Sequence, residues 1–255
     1  MIPSFSARAS RATQLLREAG DLARHWYESD SFRIVQKGDG TPVTEADRDV
    51  ESRLRGWLRE AFPEDGILGE EFGEEGGESG GRWIIDPIDG TKSFIHHVPL
   101  YSTLLAYENA AGEIEYGGIY APSAGMLIEA ERGRGAWNGS ERLHVSERAR
   151  LEGAHILSTW IEDWSPAQFA RVLEARAIPR TWGDAFGYAM VASGRAEAVI
   201  DFTVQPYDLA PMPVIIGEAG GVFGALDGSA GIYAGTGIAS NGLCHEEVRA
   251  IFATP

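Results

Sequence analysis

Ala9, Ala12, Leu15, Leu16, Ala19, Leu22, Ala23 and Trp26 recur at helical spacing with Arg and Glu between them, which predicts an amphipathic helix over residues 6–29. Ile34-Val35-Gln36-Lys37 reads as a strand leading into a Gly38-Asp39-Gly40 turn. Thr44-Glu45-Ala46-Asp47 has the form of a capping box, opening a second helix through Val50, Leu54, Trp57 and Leu58. Ile67-Leu68-Gly69 is a short strand ending in Glu70-Glu71, and the glycine- and glutamate-rich stretch 73–81 reads as a mobile, solvated loop. Trp83-Ile84-Ile85 forms a buried strand that should stop at Asp86-Pro87, because proline cannot donate to a sheet ladder. Runs at 102–108, 113–120 and 126–131, separated by short connections, predict an antiparallel meander, with 132–139 continuing as turns.

Beyond a boundary near 147–152 the rhythm changes. Strand 154–159, helix 166–177, strand 178–182, helix 185–193 and strand 196–201 alternate, as in an α/β layer. Early prolines and Gly220-Gly221 bracket a helix over 209–219, with Asp208 as its N-cap. Apolar runs at Val222-Phe223, Ile232-Tyr233 and Ile238-Ala239 and a helix over 246–252 close the chain. The expected division is an N-terminal α+β half, 1–148, and a C-terminal α/β half, 149–255.

Composition narrows the partners. The 255 residues carry a formal charge of −16, which argues against nucleic acid or an anionic membrane as the main partner. An acidic enzyme that handles phosphate needs cations to offset that repulsion. Cys244 is the single cysteine, so there is no intrachain disulfide framework and a reducing compartment fits. The first residues lack the apolar core of a signal peptide, and no apolar run approaches the ~20 residues of a spanning helix. A cytoplasmic protein is the expectation.

Candidate chemistry centres on residues 83–94. Asp86 and Asp89 sit where a strand opens into a loop, Gly90 allows a tight turn, and Thr91-Lys92-Ser93 begins a helix whose N–H groups point back into that loop. Carboxylates there suit a cation and amides an anion; a plain turn rich in Asp, Pro and Gly is the other reading. Glu70 ends an apolar strand as Asp86 does, so neighbouring strands would place both at one sheet edge. Asp47 complements a helix dipole or joins the site, and Asp208 caps a helix, binds a cation, or does both.

Pro42-Val43-Thr44-Glu45-Ala46-Asp47, Gly69-Glu70-Glu71, Asp86-Pro87-Ile88-Asp89-Gly90-Thr91 and Tyr207-Asp208-Leu209-Ala210, in this order and spacing, resemble the inositol monophosphatase family of magnesium-dependent, lithium-sensitive phosphatases. The resemblance covers nearly the whole chain. It implies an α+β fold, the layered α/β/α/β/α sandwich of the inositol monophosphatase and fructose-1,6-bisphosphatase type, as a homodimer. It makes Glu70, Asp86 and the Ile88 carbonyl ligands of one Mg²⁺, and Asp86, Asp89 and Asp208 ligands of a second, with Glu70 helping to hold a third; Mn²⁺ is the expected substitute. An all-oxygen set without histidine independently suits such hard cations.

The resemblance further implies that water loses a proton toward Glu70 and the Asp47–Thr91 pair and attacks phosphorus in line, with the leaving alkoxide stabilised by a cation. Gly90 and Thr91 N–H groups would hold phosphate oxygens. Lys37 matches a family lysine near a mobile loop, or is an ordinary surface lysine. Two departures flank Asp208: Tyr207 stands where the family commonly has Trp, and Pro211 and Pro213 crowd the following helix.

Lys92-Ser93-Phe94-Ile95, Gly183-Asp184 with the segment 187–196, and Gln205-Pro206-Tyr207-Asp208 look most like the histidinol-phosphate phosphatase branch. Inositol 1-phosphate is the rival substrate, and fructose 1,6-bisphosphate and adenosine 3′,5′-bisphosphate are further ones in related proteins. In the histidinol reading Asp184 and Asp201 face the cationic alcohol; otherwise Asp184 is an N-cap and Asp201 a strand-end turn residue. A non-catalytic acidic metal-binding protein is the reading from another class, and it needs neither Thr91 nor Asp47.

Overall fold

The structure, a computed structural model, describes residues 3–29, 31–36 and 42–253. In the first half lie α1 (Ala7–Ser29), β1 (Ile34–Gln36), β2 (Pro42–Thr44), α2 (Glu45–Ala61), β3 (Gly66–Gly69), β4 (Gly73–Glu75), β5 (Arg82–Asp89) and α3 (Thr91–Ile95). They are followed by β6 (Ser102–Glu108), β7 (Ile114–Ala121), β8 (Met126–Glu131), β9 (Ala136–Asn138) and β10 (Glu141–Arg142). The second half contains β11 (His155–Leu157), α4 (Pro166–Glu174), β12 (Ile178–Arg180), α5 (Asp184–Ala192), β13 (Ala198–Asp201), α6 (Pro206–Leu209), α7 (Met212–Glu218), β14 (Val222–Gly224), β15 (Gly237–Ser240) and α8 (His245–Phe252).

An eight-stranded sheet runs β10-β9-β8-β7-β6-β5-β3-β4, and a five-stranded sheet runs β12-β11-β13-β15-β14. The apolar stripe of α1 (Leu15, Leu16, Ala19, Ala23) and that of α2 (Val50, Leu54, Leu58) bury against Trp83, Ile85 and Leu105 on one face of the large sheet. The opposite face, through Ile84, Leu104 and Ile119, packs on α5 and α7, which also cover one face of the small sheet. Trp164, Val172, Val248 and Phe252 place α4 and α8 on the far side. The order is helices, sheet, helices, sheet, helices: the layered α/β/α/β/α sandwich. Each fully buried Leu or Ile here is worth about 1.5–3 kcal/mol, so these faces fix the layers.

Several elements differ from the sequence expectations. Strand β5 does not stop at Pro87 but continues to Asp89. Its register against β6 shifts, Asp86 facing Leu104 and Asp89 facing Ser102, so three steps on β5 match two on β6. Proline is tolerated at such a bulge, where a ladder donor is missing anyway. The 73–81 stretch is not all solvated loop: β4 pairs antiparallel with β3, and Glu74 and Glu75 form ion pairs with Arg82 and Arg59. Residues 132–139 are not turns throughout: they include strand β9, which with β10 extends the meander. The helix expected over 209–219 begins only at Met212, as α7; the short α6 before it ends at Leu209, and Pro211 withholds an N–H between them.

Candidate active site

The bulge in β5 decides the direction of two carboxylates. Trp83 and Ile85 face α1 and α2, while Ile84 faces the other way, so Asp86 follows Ile84. Without a bulge Asp89, three residues on, would point to the opposite face. The extra residue returns Ile88 to the α1/α2 core and leaves Asp89 on the side of Asp86. Strand β3 runs parallel to β5 with Gly69 opposite Ile85, which sets Glu70 beside Asp86. Asp208 arrives from α6.

Asp86, Asp89 and Asp208 each offer an oxygen within 4.8 Å of the others. Burial raises the Asp86 carboxyl well above its ordinary range, and Glu70, Asp89, Asp208 and Asp47 add to the rise. Asp89 is raised likewise by burial and by Asp184 and Asp208, although Ala185 N (2.8 Å) and Ser102 Oγ (3.1 Å) both donate to its Oδ2. Asp208 is pushed up to about 7, first by burial. It is not the N-cap of a helix: Gln205 is that residue of α6, and Asp208, at the third helical position, completes a capping box by accepting the Gln205 N–H at 2.7 Å. Mutually repelling buried carboxylates with oxygen as their only donor atoms fit a hard divalent cation.

Asp47 lies in the first turn of α2, where Thr44 N (2.7 Å) and Thr44 Oγ1 (2.6 Å) donate to its Oδ2. Its carboxyl is pushed up to about 7 by burial, offset by the Thr44 bonds and reinforced by Glu70 and Glu71. Thr91 Oγ1 lies 3.0 Å from the Ile88 carbonyl and 3.4 Å from Asp47 Oδ1. One hydroxyl proton serves one of them at a time, and the carbonyl is the nearer acceptor. Gly90 precedes α3 at φ +79°, and a Cβ there would sit 3.0 Å from Leu100 O and 3.1 Å from Asp184 Oδ2. Glycine is therefore required on two counts.

Glu70, Asp86, Asp89, Gly90, Thr91 and Asp208 open onto a cavity of about 1030 Å³ whose far wall comes from the second half. Asp184 is the first residue of α5, not its cap, and takes a left-handed φ of +52°. That conformation is costly for a non-glycine residue. It aims the carboxylate at Gly90 and Asp89, and burial, Asp201 and Asp208 push it up to about 7 while Lys92 opposes the rise. Asp201 also lines the cavity, but both its oxygens are engaged, Oδ1 by Thr159 N and Oδ2 by the Tyr188 hydroxyl, each at 2.9 Å. Burial raises its carboxyl and these bonds oppose the rise. Thr159 in turn accepts the Asp184 N–H at 2.7 Å. Lys37 lies outside the described residues.

Sequence reasoning gave no part to Thr159, Trp160, Glu162 or Asp163, which line the cavity after β11. The Lys92 ammonium sits 3.8 Å from the Trp160 ring centroid, joining α3 to this wall. An aromatic and two acids directly after a strand end were the available signal.

Fold and site together define an α+β sandwich protein with an acidic, cation-suited centre at one end of a wide polar cavity. A family model for the inositol monophosphatase family matches residues 6–254, and the chain belongs to that family. It is 40% identical over 233 residues to a histidinol-phosphatase of Chlorobaculum parvum, with 90% of each chain covered. It is 36% identical over 248 residues to a fructose-1,6-bisphosphatase/inositol-1-monophosphatase of Thermotoga maritima, with 94% of each covered. Among solved structures, the extragenic suppressor protein suhB of Bartonella henselae superposes with a TM-score of 0.90 at 30% identity, covering 98% of this chain and 99% of that one.

Proposed function

We propose that the protein is a Mg²⁺-dependent phosphomonoesterase that hydrolyses L-histidinol phosphate to L-histidinol and phosphate. The observation that carries the reading is the convergence of Asp86, Asp89 and Asp208 beside the Gly90-Thr91 turn, with the Asp184 carboxylate facing them from the opposite wall. Similarity to the Chlorobaculum histidinol-phosphatase supports the choice of ester.

In this reading Glu70, Asp86, Asp89, Asp208 and the Ile88 carbonyl hold two or three Mg²⁺ ions, with Mn²⁺ as a substitute. The cations, when bound, supply positive charge that neutralises the phosphate and acidifies water. Gly90 and Thr91 N–H groups orient phosphate oxygens. The Thr91 hydroxyl accepts a hydrogen bond from the attacking water while donating to Asp47 or Ile88; Glu70 or Asp47 takes the one proton released, and it returns to the leaving oxygen as the P–O bond breaks. Asp184 faces the ammonium of the leaving alcohol, and a charge-assisted bond of that kind is worth about 1.5–3 kcal/mol. Asp201 acts on the same wall through Thr159 and Tyr188.

A homodimer, a cytoplasmic setting and a division into halves at residue 148 belong to the same proposal. The division has this support: the large sheet is drawn from Gly66 to Arg142 and the small one from His155 to Ser240. Similarity to the Thermotoga enzyme favours a second reading, an inositol-1-monophosphatase or broader sugar phosphatase. Phosphate release from histidinol phosphate, inositol 1-phosphate, fructose 1,6-bisphosphate and adenosine 3′,5′-bisphosphate with Mg²⁺ separates them. Higher kcat/KM for inositol 1-phosphate would reject the histidinol assignment.

A further inference from the structure

The side chains of Glu51 and Arg55 lie outside the carboxylate cluster, yet they grip the turn that carries Glu70. Glu51 stands one helical turn after Asp47 on α2 and is 0% exposed. Its Oε2 accepts the Glu71 N–H at 2.7 Å, and its Oε1 accepts the Phe72 N–H at 3.2 Å and Arg55 Nε at 2.8 Å. Arg55, also buried, donates from Nη2 to the Gly73 carbonyl. A Cβ on Gly69 would lie 2.1 Å from Glu51 Oε1, so the glycine directly before Glu70 makes room for this carboxylate. Burying an ion pair is weak support for stability, since well-packed apolar side chains serve as well. Here the bonds go instead to three successive backbone groups after Glu70.

We infer that Glu51 and Arg55 are positioning residues that fix the Glu70 turn for cation binding and, through α2, tie its place to that of Asp47. The inference rests on the reading of Glu70 as a cation ligand. Partners of this outer kind typically change metal affinity about 10–100-fold when altered.

The test is Mn²⁺ binding to the chelator-treated full chain without substrate, followed by electron paramagnetic resonance, for wild type, Glu51→Gln, Arg55→Lys and Glu70→Gln. Every neighbour of the Glu51 carboxylate is a donor, so a glutamine NH₂ must oppose one of them. We expect at least about tenfold weaker Mn²⁺ binding in Glu51→Gln and a smaller loss in Arg55→Lys. Amide exchange at residues 71 and 72 should quicken, and excess Mg²⁺ should recover much of the lost rate, which a merely destabilised fold would not show. A folded Glu51→Gln protein with wild-type Mn²⁺ affinity overturns the inference. If that variant does not fold, unchanged affinity in Arg55→Lys does so. Unchanged affinity in Glu70→Gln instead removes the ligand reading on which the inference stands.

Discussion

The two walls of the cavity treat their carboxylates differently. On the wall built from β3, β5 and α6, Asp86, Asp89 and Asp208 converge, and burial first, with charge from neighbouring carboxylates added to it, drives their protonation upward. On the wall built from β13 and α5, Asp201 is equally buried but gives each oxygen to a donor of its own, Thr159 N or the Tyr188 hydroxyl. Burial alone therefore does not mark a ligand-binding acid. What distinguishes the first wall is the convergence of three carboxylates within 4.8 Å of one another, a repulsion that an external cation would relieve.

The largest consequence is cation dependence. Exhaustive chelation should abolish phosphatase activity and Mg²⁺ or Mn²⁺ should restore it; full turnover in chelator would contradict the role given to the first wall. Asp89→Asn follows, because the amide keeps the size and the bonds from Ser102 and Ala185 but removes the charge. Its kcat should fall at least about a hundredfold with circular dichroism unchanged. Near-wild-type turnover would reduce Asp89 to a turn residue.

The two walls were not equally legible in the sequence. Asp86 and Asp89 stand within one short motif, but their common direction depends on the Pro87 bulge, which sequence reasoning took for the end of the strand. Proline marks an interruption of the ladder, and nothing local tells a bulge from a terminus. The meander was readable because hairpin loops tie its strands in order, whereas β4, β9 and β10 are two or three residues long and too short to carry a period. Thr159 and Trp160 acquire their place from tertiary packing of β11 beside β13, which no spacing announces. The Glu51 contact was hidden in the same way: on the helix it reads as one more polar residue.

Smaller effects probe each wall. Thr91→Ala should lower kcat about ten- to a hundredfold while Mn²⁺ binding persists, the worth of one hydrogen bond of about 1.5–3 kcal/mol to a charged partner; unchanged kinetics would end its part in orienting water. Asp184→Asn should lower kcat/KM for histidinol phosphate about tenfold more than for glycerol 2-phosphate, since only the first ester brings an ammonium. Equal losses on both esters would show that Asp184 does not read charge.

The smallest effect, a shift in melting temperature, separates the walls most directly. In cation-free protein the carboxyls of Asp47 and Asp208 are pushed up to about 7, against about 3.9 in an unfolded chain. Between those values the folded state holds more protons than the unfolded state, so stability falls as pH rises from about 4 to about 7; below that window the penalty is absent and above it complete. Chelated wild-type protein should therefore melt lower at pH 8 than at pH 5.5, and Mg²⁺ should reverse the order by binding the ionised carboxylates. Asp89→Asn removes one repelling charge, so the chelated variant should melt about 2–5 °C above wild type at pH 8, with a smaller gain at pH 5.5. Asp201→Ala should do the opposite, melting lower than wild type at both pH values, because it leaves the buried Thr159 N–H and the Tyr188 hydroxyl without their acceptor. Equal shifts of the same sign in the two variants would erase the distinction between a carboxylate held for a cation and one consumed by its own fold.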